Sequence, residues 1–367
     1  RYTNRTVQRI FASEKGEWTD YHTKLGIWSW GGFISADYTS PNQRFTTSVG
    51  LRTDASDFGK MNNLLKQLSP RISVNYTFNE HWSIAGNAGI YYELPPYTAL
   101  GFKDNEGRLV NQKLKYQRVT SGSVGINWRP TNRLIFSMEG FYKRYGNMPL
   151  CILDNVPLAC KGNDYGIFGN EPLISTAQGR AYGLELLGKW QIPDKINASA
   201  SLTLYQSEYR NDKDSPYLPS AWDNRYILNM SCIWSLPREW DLGAKISVIG
   251  GAPYTPYDEE KSSFVEAWNA SGRPLYNYDL YNTCRLASYA QLDLRIDKNY
   301  FFRKWRLGWY ISLQNVTGSK LKEQAAFIST GEVLNQNASL MEQRYRMRTI
   351  KQETGSIIPS LGITVEF

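Results

Sequence analysis

No stretch of this sequence approaches the roughly 18 consecutive apolar residues that a membrane-crossing helix requires, which excludes a helical membrane protein. Histidine is nearly absent, with only His22 and His81, so an acid, base and nucleophile cluster has little to be built from. Each of the two reads better as an interfacial polar residue, and no enzymatic activity is expected. Cysteine is sparse as well: of four, no pair has metal-site spacing, and neither a metal nor another cofactor is called for. Cys151 and Cys160 share one polar, loop-like stretch, where an oxidising exterior would permit a disulfide, while Cys232 and Cys284 look unpaired. Charge of one sign is not concentrated anywhere. The net +8 comes from 42 basic side chains interleaved with 34 acidic ones, so nucleic acid is not an expected partner. The chain opens at Arg1-Tyr2-Thr3 without Met or a basic and apolar leader, and a fragment of a longer precursor is expected.

What is abundant is aromatic. Phe, Trp and Tyr make up 14% of the chain, yet the mean hydropathy is −0.48, as polar as that of a water-soluble protein. Strands with one apolar and one wet face reconcile the two. The alternation is explicit in places. Ile196, Ala198, Ala200, Leu202 and Leu204 alternate with Asn197, Ser199, Ser201 and Thr203, and Ala290, Leu292, Leu294 and Ile296 alternate with Gln291, Asp293 and Arg295. The same test predicts strands near 22–38, 43–55, 69–78, 81–92, 116–129, 133–145, 179–191, 196–209, 222–235, 240–250, 288–299, 305–316 and 358–367, with a fainter one over 4–13.

The connections then alternate between short turns and long loops, the long ones near 56–68, 93–115, 146–178, 210–221, 251–287 and 317–357. That rhythm, on strands of about ten residues, predicts an all-β transmembrane antiparallel barrel with short periplasmic turns and long extracellular loops. Tryptophan supports it independently: Trp82, Trp128, Trp190, Trp234, Trp240 and Trp305 all fall beside short turns on the apolar face, as a membrane-interface girdle would. A β-sandwich would have to bury either that face or the opposite one, which carries Arg44, Arg52, Arg71, Glu139, Lys143, Glu185, Lys189, Lys245, Asp293 and Arg295.

The last nine residues, Pro359 to Phe367, alternate and end on Phe367, resembling the terminal strand by which outer-membrane proteins are recognised for barrel assembly. Four further segments resemble TonB-dependent receptors: Leu68 to Val74 followed by Asn87 to Pro96, Arg180 to Glu185, Gln291 to Ile296, and Leu307 to Val316. The ending Ile357-Ile358-Pro359-Ser360-Leu361-Gly362-Ile363-Thr364-Val365-Glu366-Phe367 most resembles members from Bacteroidetes-type bacteria. The resemblance implies a barrel of roughly 22 strands closed by a plug, of which residues 1–367 would form the C-terminal portion, about fourteen strands. The plug, with the segment that TonB pulls, would lie on an N-terminal remainder. It further implies residence in the bacterial outer membrane and active import of a scarce or large nutrient. Expected partners are outer-membrane lipid and lipopolysaccharide, TonB through the plug, that N-terminal remainder, and a surface lipoprotein. A self-contained passive channel of fourteen strands, or a rim enzyme, are the alternatives.

Position alone selects the ligand contacts. Arg52, Asp54, Tyr91, Tyr145, Tyr209, Asp223 and Arg225 should lie on the inner face near the extracellular strand ends, and Tyr97, Tyr254, Tyr257 and Trp268 in the loops. Asp212 and Asp214 begin like a calcium loop, but Tyr217 stands where a glycine is needed and Asp223 where a glutamate is, so a polar loop tip is expected. The run Arg344-Tyr345-Arg346-Met347-Arg348 with Lys351 could grip lipopolysaccharide phosphates or equally be the solvated edge of the last loop.

Overall fold

The structure, a computed structural model, describes residues 2–12, 15–161 and 169–367. In chain order the strands begin with β1 (Tyr2–Ala12), β2 (Lys15–Leu25), β3 (Ser29–Thr39), β4 (Phe45–Ser56), β5 (Ser69–Thr77), β6 (Trp82–Glu93), β7 (Gln117–Thr131) and β8 (Leu134–Cys151). Then come β9 (Val156–Pro157), β10 (Leu173–Ile192), β11 (Ile196–Arg210), β12 (Leu218–Pro219), β13 (Tyr226–Leu236), β14 (Trp240–Ile249), β15 (Pro253–Tyr254) and β16 (Cys284–Arg285). The chain ends with β17 (Tyr289–Phe301), β18 (Arg306–Gln314), β19 (Leu321–Lys322), β20 (Ala326–Val333), β21 (Tyr345–Ile350), β22 (Glu353–Thr354) and β23 (Ile358–Glu366). Short helices α1 (Tyr97–Leu100), α2 (Glu259–Ser263) and α3 (Val265–Ser271) sit in the long connections, and no described helix is long and apolar enough to cross a membrane.

The long strands form one antiparallel sheet in the order β23-β18-β17-β14-β13-β11-β10-β8-β7-β6-β5-β4-β3, so each strand pairs with the next long strand in the chain. Among the described residues β3 and β23 each pair on one side only, and the sheet is open. The two segments whose alternation is most explicit, 196–204 and 290–296, lie in β11 and β17 of this sheet. Two expectations need correction. The stretch 22–38 is two strands, because the backbone turns a corner at Gly26 to Trp28, where the Trp28 N–H donates to the Asp57 carboxylate at 2.9 Å. The faint strand over 4–13 exists as β1, but it pairs with β2 in a hairpin of its own and adds nothing to the large sheet.

Turns on the short side are closed by side chains suited to them. Asn42 Oδ1 accepts from the Ser40 hydroxyl and the Arg44 N–H, and Asn79 Oδ1 from the N–H groups of His81 and Trp82. On the opposite side β8 and β10 run to 18 and 20 residues, longer than the sequence suggested, because pairing continues past the apolar stretch into the loops.

The chain resolves into two compact units. The first holds Arg1–Ile126, Glu139–Gly183 and Gln206–Asp223, the second Asn127–Met138, Leu184–Tyr205 and Asn224–Phe367. In the first unit, the buried core lies among the loops: Leu25, Phe58, Met61, Leu100, Leu114, Tyr116, Cys151, Leu158 and Leu173 pack together. At about 1.5–3 kcal/mol for each large side chain enclosed, this cluster fixes the β1–β2 hairpin and the connection around α1. The Thr23 hydroxyl adds a bond to the Gly101 carbonyl, and Tyr21 packs edge-on against Phe102.

On the sheet itself the pattern is inverted. Large apolar residues such as Ile34 (71% exposed) in the first unit and Leu361 (71%) and Ile363 (70%) in the second stand on one face without protein cover. Cross-strand register keeps them together: Ile34 faces Leu51, Val49 faces Ile72, and Leu361 faces Ile311. The other face pairs polar with polar, as in Ser48 with Ser73, Ser199 with Ser231 and Lys245 with Asp293. An uncovered apolar face of this extent is not tolerated in water.

Candidate functional site

Residues two apart on a strand share a face, and the polar face uses that spacing to pair its charges. In the first unit Arg52 and Asp54 make two bonds of 2.7 Å, and the Arg71 guanidinium lies 4.5 Å above the Tyr91 ring. In the second unit Arg295 and Asp297 repeat the Arg-x-Asp pair, with Arg295 stacked 3.8 Å over Tyr310 and Gln291 donating to Asp293. Of the expected inner-face contacts, Arg52, Asp54 and Tyr91 therefore sit on the polar face with their charges already matched by neighbours.

At the loop end of the first unit the rings of Tyr145 and Tyr209 meet at 5.4 Å. Gly179 makes room for them: a Cβ there would lie 2.4 Å from the Tyr209 ring. Tyr209 is nearly buried. Asp223 is wholly buried, its carboxylate accepting the Ser207 N–H at 2.9 Å, and a side chain so enclosed has no open path to a ligand. Tyr97 stacks on Tyr2 at 6.2 Å and stays half exposed. No local pattern announces the neighbouring cluster, in which Arg180 pairs with Glu208 at 2.8 Å, and Arg180 and Arg210 both lie over Tyr217, at 4.0 and 4.8 Å.

In the second unit Arg225 has a left-handed backbone (φ 70°), and its carbonyl accepts the Tyr205 N–H at 2.9 Å. The loop between β14 and β17 carries the other three expected contacts. Tyr254 is opposite Cys284 in the β15–β16 pair, where burial, with that thiol beside it, pushes the phenol up. Trp268 lies in α3, which ends as its carbonyl accepts the Gly272 N–H, Gly272 being left-handed at φ 64°. Tyr257 meets Tyr276 at 5.1 Å and Phe327 at 6.4 Å, and the row continues through Tyr278 to Tyr281, the last two rings within 13° of parallel. Tyr276, Tyr278 and Tyr281 were missed, although their close spacing in the sequence was a signal.

The last long loop docks on this one. Arg344 donates to Glu260 at 2.9 Å and covers the Phe264 ring at 4.7 Å, Tyr345 donates to Asn269, the Val265 N–H to the Gln343 carbonyl, and Gln324 to the Thr255 carbonyl. Arg346 pairs with Glu332. Two of the three arginines in the basic run are thus engaged within the protein.

Other expectations resolve as follows. Cys151 and Cys160 are both buried and are not joined to each other; the Cys160 sulfur faces the Leu218 carbonyl at 3.8 Å, and burial pushes that thiol up. The expected bridge is therefore not formed here. Asp212 accepts from the Asp214 N–H and from the N–H and hydroxyl of Ser215; these bonds hold its carboxyl below the usual range and close the loop tip on itself. His22 lies in the β1–β2 hairpin and not on a strand of the sheet, whereas His81 sits in the turn before β6.

Trp82, Trp128, Trp190, Trp234, Trp240 and Trp305 each stand beside a short turn on the apolar face. Trp309 and Tyr300 join them: Trp309 meets Trp240 edge-on at 5.5 Å, and the Lys298 ammonium lies 4.8 Å from the Tyr300 ring. Phe367 follows β23 fully exposed.

A family model described as TonB dependent receptor-like, beta-barrel, matches residues 1–316. No curated protein sequence matches the chain. Among solved structures it is similar to a variant of the ferric enterobactin receptor from Pseudomonas aeruginosa, at 17% identity and TM-score 0.56, covering 83% of this chain and 41% of that one. It is similar also to the FrpB iron transporter from Neisseria meningitidis, at 13% and 0.56, covering 92% and 45%. The ferric citrate transporter FecA in its unliganded form aligns at 11% and 0.57, covering 96% and 47%. The chain thus spans less than half the length of these solved structures, and at such identities the likeness is one of fold.

Proposed function

This chain belongs to the TonB-dependent receptor β-barrel family, and we propose that it forms the wall and ligand-binding loops of a transporter that imports a scarce nutrient under the drive of TonB. Its place is the outer membrane of a Gram-negative cell. One observation carries the transport reading: an apolar face without protein cover and a polar face of matched charges are held in register from β3 to β6 and again from β11 to β23, the wall of a wet lumen in lipid. Lipid offers no partner to unpaired backbone, so a spanning sheet must close. The one-sided pairing of β3 and β23 supports a barrel completed by further strands, with residues 1–367 as one portion of that single domain. It speaks against a self-contained passive channel.

In this reading a plug outside this chain closes the lumen and couples to TonB, lipopolysaccharide and phospholipid surround the wall, and a surface lipoprotein is a candidate lid. Ligand contact falls to rings in the loops, exposed at Tyr97 and Tyr278 and half-buried at Tyr257 and Trp268, and to Arg52, Asp54 and Tyr91 on the polar face, which release their present partners to a ligand. Asp223 and Tyr209 serve instead to hold the strand ends. The six tryptophans and Phe367 mark the periplasmic interface and the assembly signal. The test is uptake by cells expressing the full receptor, using ferric enterobactin, ferric citrate and a labelled oligosaccharide as probes. Accumulation of one of them that vanishes when TonB is deleted supports the proposal; accumulation that persists without TonB rejects it in favour of passive flow.

A further inference from the structure

A groove of about 330 Å³ is cut into the apolar face of the second unit, and its lining is almost wholly apolar. Small residues make the floor: Gly188 on β10, Ala198 and Ala200 on β11, Cys232 on β13 and Ala244 on β14. Register confirms that they form a continuous strip, since Ala198 faces Cys232, and Cys232 faces Ala244. The walls are large. Phe136 and Trp190 flank one side, Met230 and Ile246 the other. Phe136 is held in place from two directions: it stacks on Trp128 at 5.5 Å, and its ring lies where a side chain at Gly188 would be, 3.3 Å from an added Cβ.

We propose that this groove seats one acyl chain of a phospholipid from the periplasmic leaflet, whose phosphate is bound by Arg133 and Lys195. Two observations select that occupant. The first is depth. The floor lies roughly five residues from the short turns, or ~16 Å of strand that is tilted from the membrane normal by about 40°, which places it within a leaflet whose hydrocarbon is about 15 Å thick. Trp190, beside the β10–β11 turn, lines the groove, so that end of it meets the headgroup region.

The second observation is charge. Arg133 precedes the wall residue Leu134 in the turn before β8, and its carbonyl accepts the Gln191 N–H, while Lys195 ends the β10–β11 turn, its carbonyl accepting the Ser235 N–H. Both side chains are exposed, and neither forms an ion pair among the described residues. Arg238 stands in the next turn along. Asp194 and Glu239 beside these cations leave a small positive excess, which suits a phosphate accompanied by an amine, as in phosphatidylethanolamine. A transmembrane protein segment would fit the groove but would have no use for exposed cations at its mouth.

The test is native mass spectrometry of the full receptor, purified in mild detergent, depleted of lipid and titrated with phosphatidylethanolamine. The wild type is expected to take up one phospholipid ahead of the general, weaker adducts. Filling the floor with A200L and A244L, both tolerable on a face that already contacts hydrocarbon, should abolish that first adduct. R133Q with K195Q, in turns where folding is not at stake, should weaken it while leaving the groove open. Uptake identical to wild type in both variants overturns the proposal. So does a wild-type receptor that retains a second protein chain which the filled variant loses, because the groove would then be a protein interface.

Discussion

Asp223 shows what a single residue conceals. An aspartate at the inner-facing end of an expected strand reads as a ligand-facing charge, but here it precedes β13, is wholly enclosed and satisfies the Ser207 N–H of β11. The backbone demands this, since an N–H without a partner away from water costs about 1–3 kcal/mol. Asp223→Ala is therefore expected to destabilise the loop end of the first unit by that amount without altering the lumen surface. Limited proteolysis of the folded receptor measures it: faster cleavage within residues 210–221 is expected, and an unchanged rate together with reduced ligand affinity would restore Asp223 to the binding site. Tyr209 teaches the same lesson, being placed by Gly179 and Tyr145 in packing that no local pattern announces. Parity along a strand was legible at Arg52, Asp293 and Arg295 because it is a local, period-two signal; enclosure was not, because it depends on which loops fold over which strand end.

At the scale of elements the large sheet was legible nearly entire, since each of its strands carries its own alternation and its own turn. The β1–β2 hairpin was not. Its second strand alternates as cleanly as the wall strand after it, with Tyr21, Thr23 and Leu25 buried between exposed neighbours, and only the corner at Gly26 to Trp28 separates them. Nor could the pairing of two long loops be read, because it joins segments far apart in the chain. That pairing is testable at Arg344. Its exposed ion pair with Glu260 contributes at most about 1 kcal/mol, and its place over Phe264 roughly 0.5–1 kcal/mol more. Arg344→Ala should then raise hydrogen exchange in β20 and β21 by about tenfold, the equivalent of ~1.4 kcal/mol; unchanged exchange would mean that the two loops are held by their backbone contacts alone. The first turn of α2 adds a pH dependence. Asp258 bonds to the side chain and N–H of Lys261, which lowers its pKa below the carboxylate norm of 3.8. A depressed carboxylate stabilises the fold above its unfolded pKa, and that contribution is lost as pH falls through the folded value. Protease sensitivity of the loop between β14 and β17 should accordingly rise only below about pH 4, and Asp258→Asn should show the acid-like sensitivity already at neutral pH. If wild type and variant respond alike across that range, the cap does not hold the loop.

For the whole molecule, what matters is which medium each face meets. A chain with mean hydropathy −0.48 and large apolar residues standing uncovered is consistent only if the polar residues it counts are lumen walls and loops. The assignment predicts opposite outcomes for neighbouring residues of one strand. Leu202 and Ser201 are consecutive near the middle of the spanning part of β11; Leu202 faces Leu228 on the apolar face, and Ser201 faces Asn229 on the polar one. Leu202→Arg would put a guanidinium into hydrocarbon at about +2–4 kcal/mol, whereas Ser201→Arg would put the same group into a wet lumen at little cost. Unfolding of the full receptor from lipid vesicles by urea reads the difference directly. A large loss for Leu202→Arg alone supports the wall as described. Equal losses would mean that both faces are buried in protein and that the sheet belongs to a sandwich, and a larger loss for Ser201→Arg would mean that lumen and lipid are exchanged.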